Sequence, residues 1–390
     1  MKFLLPLVLL TWVEARAQLF DSDPRHPWNA LHQALNTRTT KSGEIYVHDG
    51  LEPASVPRSK FLIEGESHRR IVDVLDDFLA QNADRRVTDP LKRAIMQRDL
   101  YAVFVDTASP TLPHQARRRE LQKRLVQVMR RIALSGEEIE ALPDNFAAAA
   151  KAKSGLPANL MKPNGAWVLV RNRMRSDDLA ANLHVRATRG RSAFLILLRL
   201  PAGRKATLDY LKRLAVLPKH ASVPQFPVGT KVALVRRTML IDKTGRFRAT
   251  KLTESIQVRV YDDLKQPTMS EIRLHRDALF AGRSGGLLAT TEAEESYFAL
   301  THLGFGRDGR WDPLEQPKVH DKRFHPPFVM NSCIICHAGP GIYGFQSMFA
   351  GHHEKLPLEA TKLETQIRPV IELTQKSYAW GLLQGLWETK

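Results

Sequence analysis

Residues 231–261 read KVALVRRTMLIDKTGRFRATKLTESIQVRVY, and their pattern decides the fold. Two runs, 231–240 and 246–261, bracket Asp242-Lys243-Thr244-Gly245, a set of turn-forming residues. In the second run Ile256, Val258 and Val260 alternate with Gln257, Arg259 and Tyr261. Successive side chains of a strand point to opposite faces, so this alternation predicts an antiparallel hairpin with one buried and one wet face. Just upstream, residues 193–198 form an apolar run of buried-strand length, whose leucines also permit a buried helix. The region 167–261 is therefore expected to be antiparallel β, interrupted by a helix over 206–215.

Before this region the period changes. Ile71, Val74, Leu75, Phe78 and Leu79 recur at helical spacing, and Asp89-Pro90 is an N-cap followed by proline at the first helical position. Leu121, Leu125, Val128, Met129 and Ile132 form a second apolar stripe. Its opposite face carries Arg117, Arg118, Lys123, Arg124, Arg130 and Arg131, read as a solvated face or a docking surface for an anionic partner. Ser135-Gly136-Glu137-Glu138 is a capping box. Residues 18–66 lack a sustained period and are expected to form an irregular arm on the body, anchored by Trp28, Leu31, Leu35 and Tyr46. The expected class is α+β: a helical N-terminal region and an antiparallel β region within a body over 67–291, followed by a small, mainly helical module over 292–390.

The first 17 residues carry an export signal. Lys2 precedes a leucine-rich run over 3–13, and Ala15-Arg16-Ala17 is a cleavage site before Gln18. The run is too short to span a bilayer, and no other stretch is long and apolar enough. A periplasmic or secreted location is expected. The formal charge of the whole chain is +17. Removing Lys2, Glu14 and Arg16 takes away two cations and one anion, which leaves +16. Residues 331–390 hold five basic and five acidic side chains, so the excess lies in the body. A basic exported body suits an acidic protein or an anionic surface. Nucleic acid is not expected, because export removes the protein from most of it and no binding motif is present.

The chemistry is written in Cys333-Ile334-Ile335-Cys336-His337, which holds both cysteines of the chain. C-x-x-C-H is the attachment pattern of a c-type haem. Each thiol adds to one vinyl group of the ring, and the adjacent histidine lies under the iron. A structural zinc site needs four ligands, and no second C-x-x-C or paired histidine motif lies nearby. A thioredoxin-type C-x-x-C follows a strand, whereas Pro326-Pro327 precedes this one.

Over about the last 60 to 90 residues the chain resembles the c-type cytochromes, on the residues of this motif. The resemblance implies one covalent haem c on Cys333 and Cys336, with His337 as an axial iron ligand. The usual plan of the family adds a downstream methionine, and Met348 is the only one here. Met348 is the first choice for the sixth ligand, followed by His352 or His353. His320 and His325 are further candidates, and an open site is the remaining one. The preceding loop is expected to lend Phe324, Phe328 and Met330 to the haem pocket, and residues 358–387 to form a lid.

One-electron transfer with a redox partner protein is the leading expectation. A redox or ligand-sensing binding protein and a peroxidase-type enzyme with an open distal site are the alternatives. Two G-x-G-x-x-G matches, from Gly304 and from Gly339, lack the strand–helix context of a nucleotide site and read as turns. His275-Arg276-Asp277 lacks every other element of a kinase and is coincidental.

Overall fold

A computed structural model describes residues 19–39, 45–47, 62–152, 156–157, 159–172, 182–218, 221–291, 333, 337, 339–346 and 358–389. In chain order the helical part holds α1 (Pro27–Asn36), the strand pair β1 (Thr37–Thr39) and β2 (Ile45–Val47), and α2 (Gly65–Ala80). It continues with α3 (Pro90–Thr107), α4 (Gln115–Ile132), α5 (Gly136–Glu140) and α6 (Asn145–Lys151). The β part follows as β3 (Val168–Asn172), α7 (Asn182–Ala187), β4 (Ser192–Arg199), α8 (Gly203–Ala215), β5 (Thr230–Ile241) and β6 (Phe247–Tyr261). It ends with β7 (Thr268–Leu274), α9 (Arg276–Phe280) and β8 (Leu287–Ala289). The last elements are α10 (Ile342–Gln346), β9 (Leu358–Ala360), α11 (Leu363–Gln375) and α12 (Tyr378–Glu388). The fold is α+β, with seven strands in the order β8-β7-β6-β5-β4-β3-β9 and every neighbouring pair antiparallel.

Local signals place most of these elements. Asp89 caps α3 by accepting from the Leu91 and Lys92 amides, and Ser135 and Glu138 complete the reciprocal capping box of α5. The Asp242 carboxylate closes the β5–β6 turn by accepting from the Thr244 and Arg246 amides, and Gly245 takes the positive φ of 78°. The ambiguous run 193–198 is strand β4, because β3 and β5 pair with it on both edges.

Several expectations are corrected. The N-terminal segment is not irregular throughout: Trp28, Leu31 and Leu35 lie on one side of α1 and are fully buried in the helical core. The basic face of α4 is only partly solvated: Arg117 and Lys123 are exposed, whereas the other four cations bind within the fold. Arg118 donates to the Pro113, Thr107 and Ser109 carbonyls, and Arg124 grips Asp76 with both Nε and Nη2. Arg130 donates to the Trp387 and Thr389 carbonyls, and Arg131 to that of Leu79. Arg118, Arg130 and Arg131 thus bind carbonyls left over from neighbouring elements, and Arg124 ties α4 to α2 through a carboxylate.

The end of the chain belongs to the core of the body. α11 runs straight through Pro369, and Val370, Trp380, Leu383 and Trp387 join the same apolar core as α2, α3 and α4. Trp380 meets Phe247 edge-on at 5.4 Å, and β9 extends the main sheet by pairing with β3. The boundary expected at 292 and the signal over 1–17 lie outside the described residues.

Candidate functional site

One face of the sheet carries the site. Register places Phe194, Ile196 and Leu198 of β4 beside Arg236, Leu234 and Val232 of β5. Leu234 and Val232 in turn face Gln257 and Arg259 of β6. The sequence pattern marked Gln257, Arg259 and Tyr261 as the wet face. Instead Arg259 and Tyr261 are buried, at 9% and 1% exposure. Among the described residues no carboxylate pairs with the Arg259 guanidinium, whose described bond is to Tyr261.

The segment around the C-x-x-C-H motif is seated at this face. Gln225 fixes it: its Oε1 accepts from the Ile342 amide at 2.8 Å, and its Nε2 donates to the Pro340 carbonyl at 3.2 Å. The Gly341 amide donates to the Leu264 carbonyl at 2.7 Å. Ile342 is fully buried among Leu198, Tyr210, Phe226 and Tyr261, and Phe345 meets Phe226 edge-on at 5.8 Å.

The glycines of the 339–344 match have structural reasons. Gly341 sits at φ +52° against Gln225, and a Cβ on Gly344 would collide with the Gly339 carbonyl. The close turn brings the Gly344 carbonyl 2.6 Å from His337 Nδ1. A carbonyl only accepts, so Nδ1 carries the proton and the lone pair lies on Nε2. Nε2 has no hydrogen-bond partner among the described residues.

A second histidine faces the first. His184, in α7, has its ring centroid 6.2 Å from that of His337, with the planes 24° apart. Its ring packs on Phe194 at 5.4 Å, and neither ring nitrogen has a hydrogen-bond partner among the described residues. Burial and the nearby Arg259 charge push its pKa down to about 4. Burial, Arg259 and His184 push His337 down to about 3, against the opposing pull of the Gly344 carbonyl. Both rings are therefore neutral at pH 7, yet both keep accessible surface despite the dense protein around them.

The turn after α7 holds His184 in place. The Gly190 amide donates to the Val185 carbonyl, and Thr188 Oγ1 donates to that of His184. Gly190 has φ +76°, and a Cβ there would collide with Thr374 Oγ1 of α11. Gly190→Ala should therefore lower stability by about 1–3 kcal/mol, read from the urea midpoint. An unchanged midpoint would mean that α11 yields freely.

Cys333 is half-buried. Cys336, Met348, His320, His325, His352 and His353, with Phe324, Phe328 and Met330, lie outside the described residues. Among the described residues, no group of three or more His, Cys, Asp or Glu side chains converges as a metal cage. His184 carried no motif in the sequence, and only the folded sheet brings it to His337. His275-Arg276-Asp277 opens α9, where the buried Arg276 bonds Asp99 at 2.7 Å. No helix among the described residues is long and apolar enough to cross a membrane. No family model matches the chain, and no curated protein or solved structure shows significant similarity to it.

Proposed function

We propose that the chain is an exported, mono-haem c-type cytochrome whose task is one-electron transfer. Thioether bonds from Cys333 and Cys336 hold the haem, and His337 is its proximal ligand. The observation that carries this reading is the His337 tautomer. The Gly344 carbonyl accepts a hydrogen bond from Nδ1–H at 2.6 Å, which leaves the metal-binding lone pair on Nε2. The donor set fits the group. A zinc ion asks the protein for three or four ligands, whereas a haem brings four ring nitrogens and asks for two axial ones at most.

When bound, the haem supplies a reversible one-electron couple. The chain orients the ligand through Gly344, and Phe194 packs on the neighbouring His184 ring. Arg259 places a buried positive charge beside the site, which suits the negative charge of a haem propionate. Electrons would pass to and from a redox partner protein, and the basic body favours one with an acidic surface. A redox-sensing role is the second reading, favoured by the bonds that tie 340–342 to Gln225 and Leu264 of the body. A partner affinity that differs between the oxidised and reduced protein would move the assignment there.

The protein should be produced with its leader in a host that matures c-type cytochromes, and recovered from the exported fraction. Its colour is expected to survive denaturing electrophoresis. Cys333→Ala should give a single-thioether haemochrome, and Cys333→Ala with Cys336→Ala no attached haem. Colour lost from the wild type on denaturation would refute the proposal.

A further inference from the structure

We infer that His184, supplied by the short helix ahead of β4, is the second axial ligand, so that the iron is held between two imidazoles. The inference rests on the haem reading above and names the residue that completes the site.

Distance is the first argument. A metal–imidazole nitrogen bond is about 2.0 Å, and a ring nitrogen lies about 1.1 Å from its ring centre. Two imidazoles on opposite sides of one metal therefore have centroids about 6 Å apart. The observed separation is 6.2 Å, with ring planes only 24° from parallel.

The second argument is the bonding of the two rings. A buried polar group is normally hydrogen-bonded. His337 spends its Nδ1 on Gly344 and leaves Nε2 without a partner among the described residues. Neither ring nitrogen of His184 has one, although Phe194 and the turn to Gly190 hold the ring in place. Among the described residues three imidazole nitrogens on these two adjacent rings have no partner, which leaves a donor on each ring for one metal.

Charge gives the third argument. Arg259 acts electrostatically on both histidines, is buried, and has no carboxylate partner among the described residues. A buried unpaired cation is costly. An anionic group held between the histidines and β6 removes that cost, and a haem carries its negative charges on propionates. A bare divalent cation between the same rings would make it worse.

A bis-histidine site has consequences that differ from those of Met348. Two imidazoles give a lower potential than an imidazole and a thioether, and a six-coordinate iron leaves no open position for peroxide. The ligand would also come from the body, so the body is part of the haem site.

The test uses the full-length holoprotein. Near-infrared magnetic circular dichroism of the oxidised wild type should show a low-spin, bis-imidazole iron, and the reduced protein should bind carbon monoxide slowly. His184→Ala should turn the oxidised iron high-spin, and free imidazole should restore the low-spin spectrum. His184→Met should move the ligand-to-metal band into the far red and raise the potential.

A pair of stacked rings without a metal is the competing explanation, and His184→Phe would preserve that contact. His184→Phe becoming high-spin supports the inference. A thioether spectrum in the wild type, or an unchanged low-spin spectrum in His184→Ala, overturns it and leaves the haem reading standing. Absence of any covalent haem overturns both.

Discussion

Glu254→Ala is expected to lower the unfolding free energy by about 3–5 kcal/mol, one of the largest single effects in the molecule. Glu254 is 3% exposed and sits between two cations, with Arg98 Nε at 2.8 Å and Arg236 Nε at 2.5 Å. Ser192 and Thr238 also donate to it, at 2.8 and 2.9 Å. Removing the carboxylate takes the shortest ion-pair partner from two buried guanidiniums, which costs more than losing the pair itself. Urea unfolding of the variant should show a markedly lower midpoint at unchanged m-value. A loss below about 1 kcal/mol would mean that water reaches Arg98 and Arg236.

The same group sets an acid limit. Burial alone would raise the Glu254 pKa, but Arg236 and Arg98 together outweigh it and hold the carboxyl at about 2, from an ordinary 4.5. A depressed carboxylate stabilises the fold fully above its unfolded pKa. Its contribution is lost as pH falls from about 4.5 towards 2, because protonation then favours the unfolded chain. Wild-type stability should fall through that window more steeply than that of Glu254→Gln.

Gly344→Ala is the second large effect, and it acts on the site. The new methyl collides with the Gly339 carbonyl, so the turn must open and the Gly344 carbonyl must leave His337 Nδ1. Partners of this kind typically change ligand affinity by roughly 10- to 100-fold. The thioethers do not depend on the turn, so the variant should keep its attached haem. It should nevertheless show a high-spin fraction and a shifted potential. A wild-type spectrum and potential would mean that the Gly344 bond does not orient the ligand.

The sequence announced the sheet because its apolar residues alternate within single strands, as at Ile256, Val258 and Val260. It announced α2 and α4 through their periodic stripes. The central helix was harder, because burial there is not periodic: α3 is buried continuously from Ala94 to Thr107. Gln97, Arg98 and Asp99 look like surface residues in one dimension. Their partners lie far along the chain, Arg98 meeting Glu254 across 156 positions. Arg259 was misread as solvent-facing for the same reason, since what covers its face comes from elsewhere in the chain. The C-x-x-C-H pattern was legible because the haem attachment proposed here would fix both residue types and spacing. His184 was not, because an axial ligand would need only a position in space.

The central claim is a covalent haem on Cys333 and Cys336, and intact mass measurement of the exported protein tests it most directly. The mature chain is expected to carry the mass of one haem, located by fragmentation to the peptide containing both cysteines. A pyridine haemochrome should give one haem with two thioethers per chain. A mature chain at bare polypeptide mass, or one with a single bound zinc and no haem, would contradict the account.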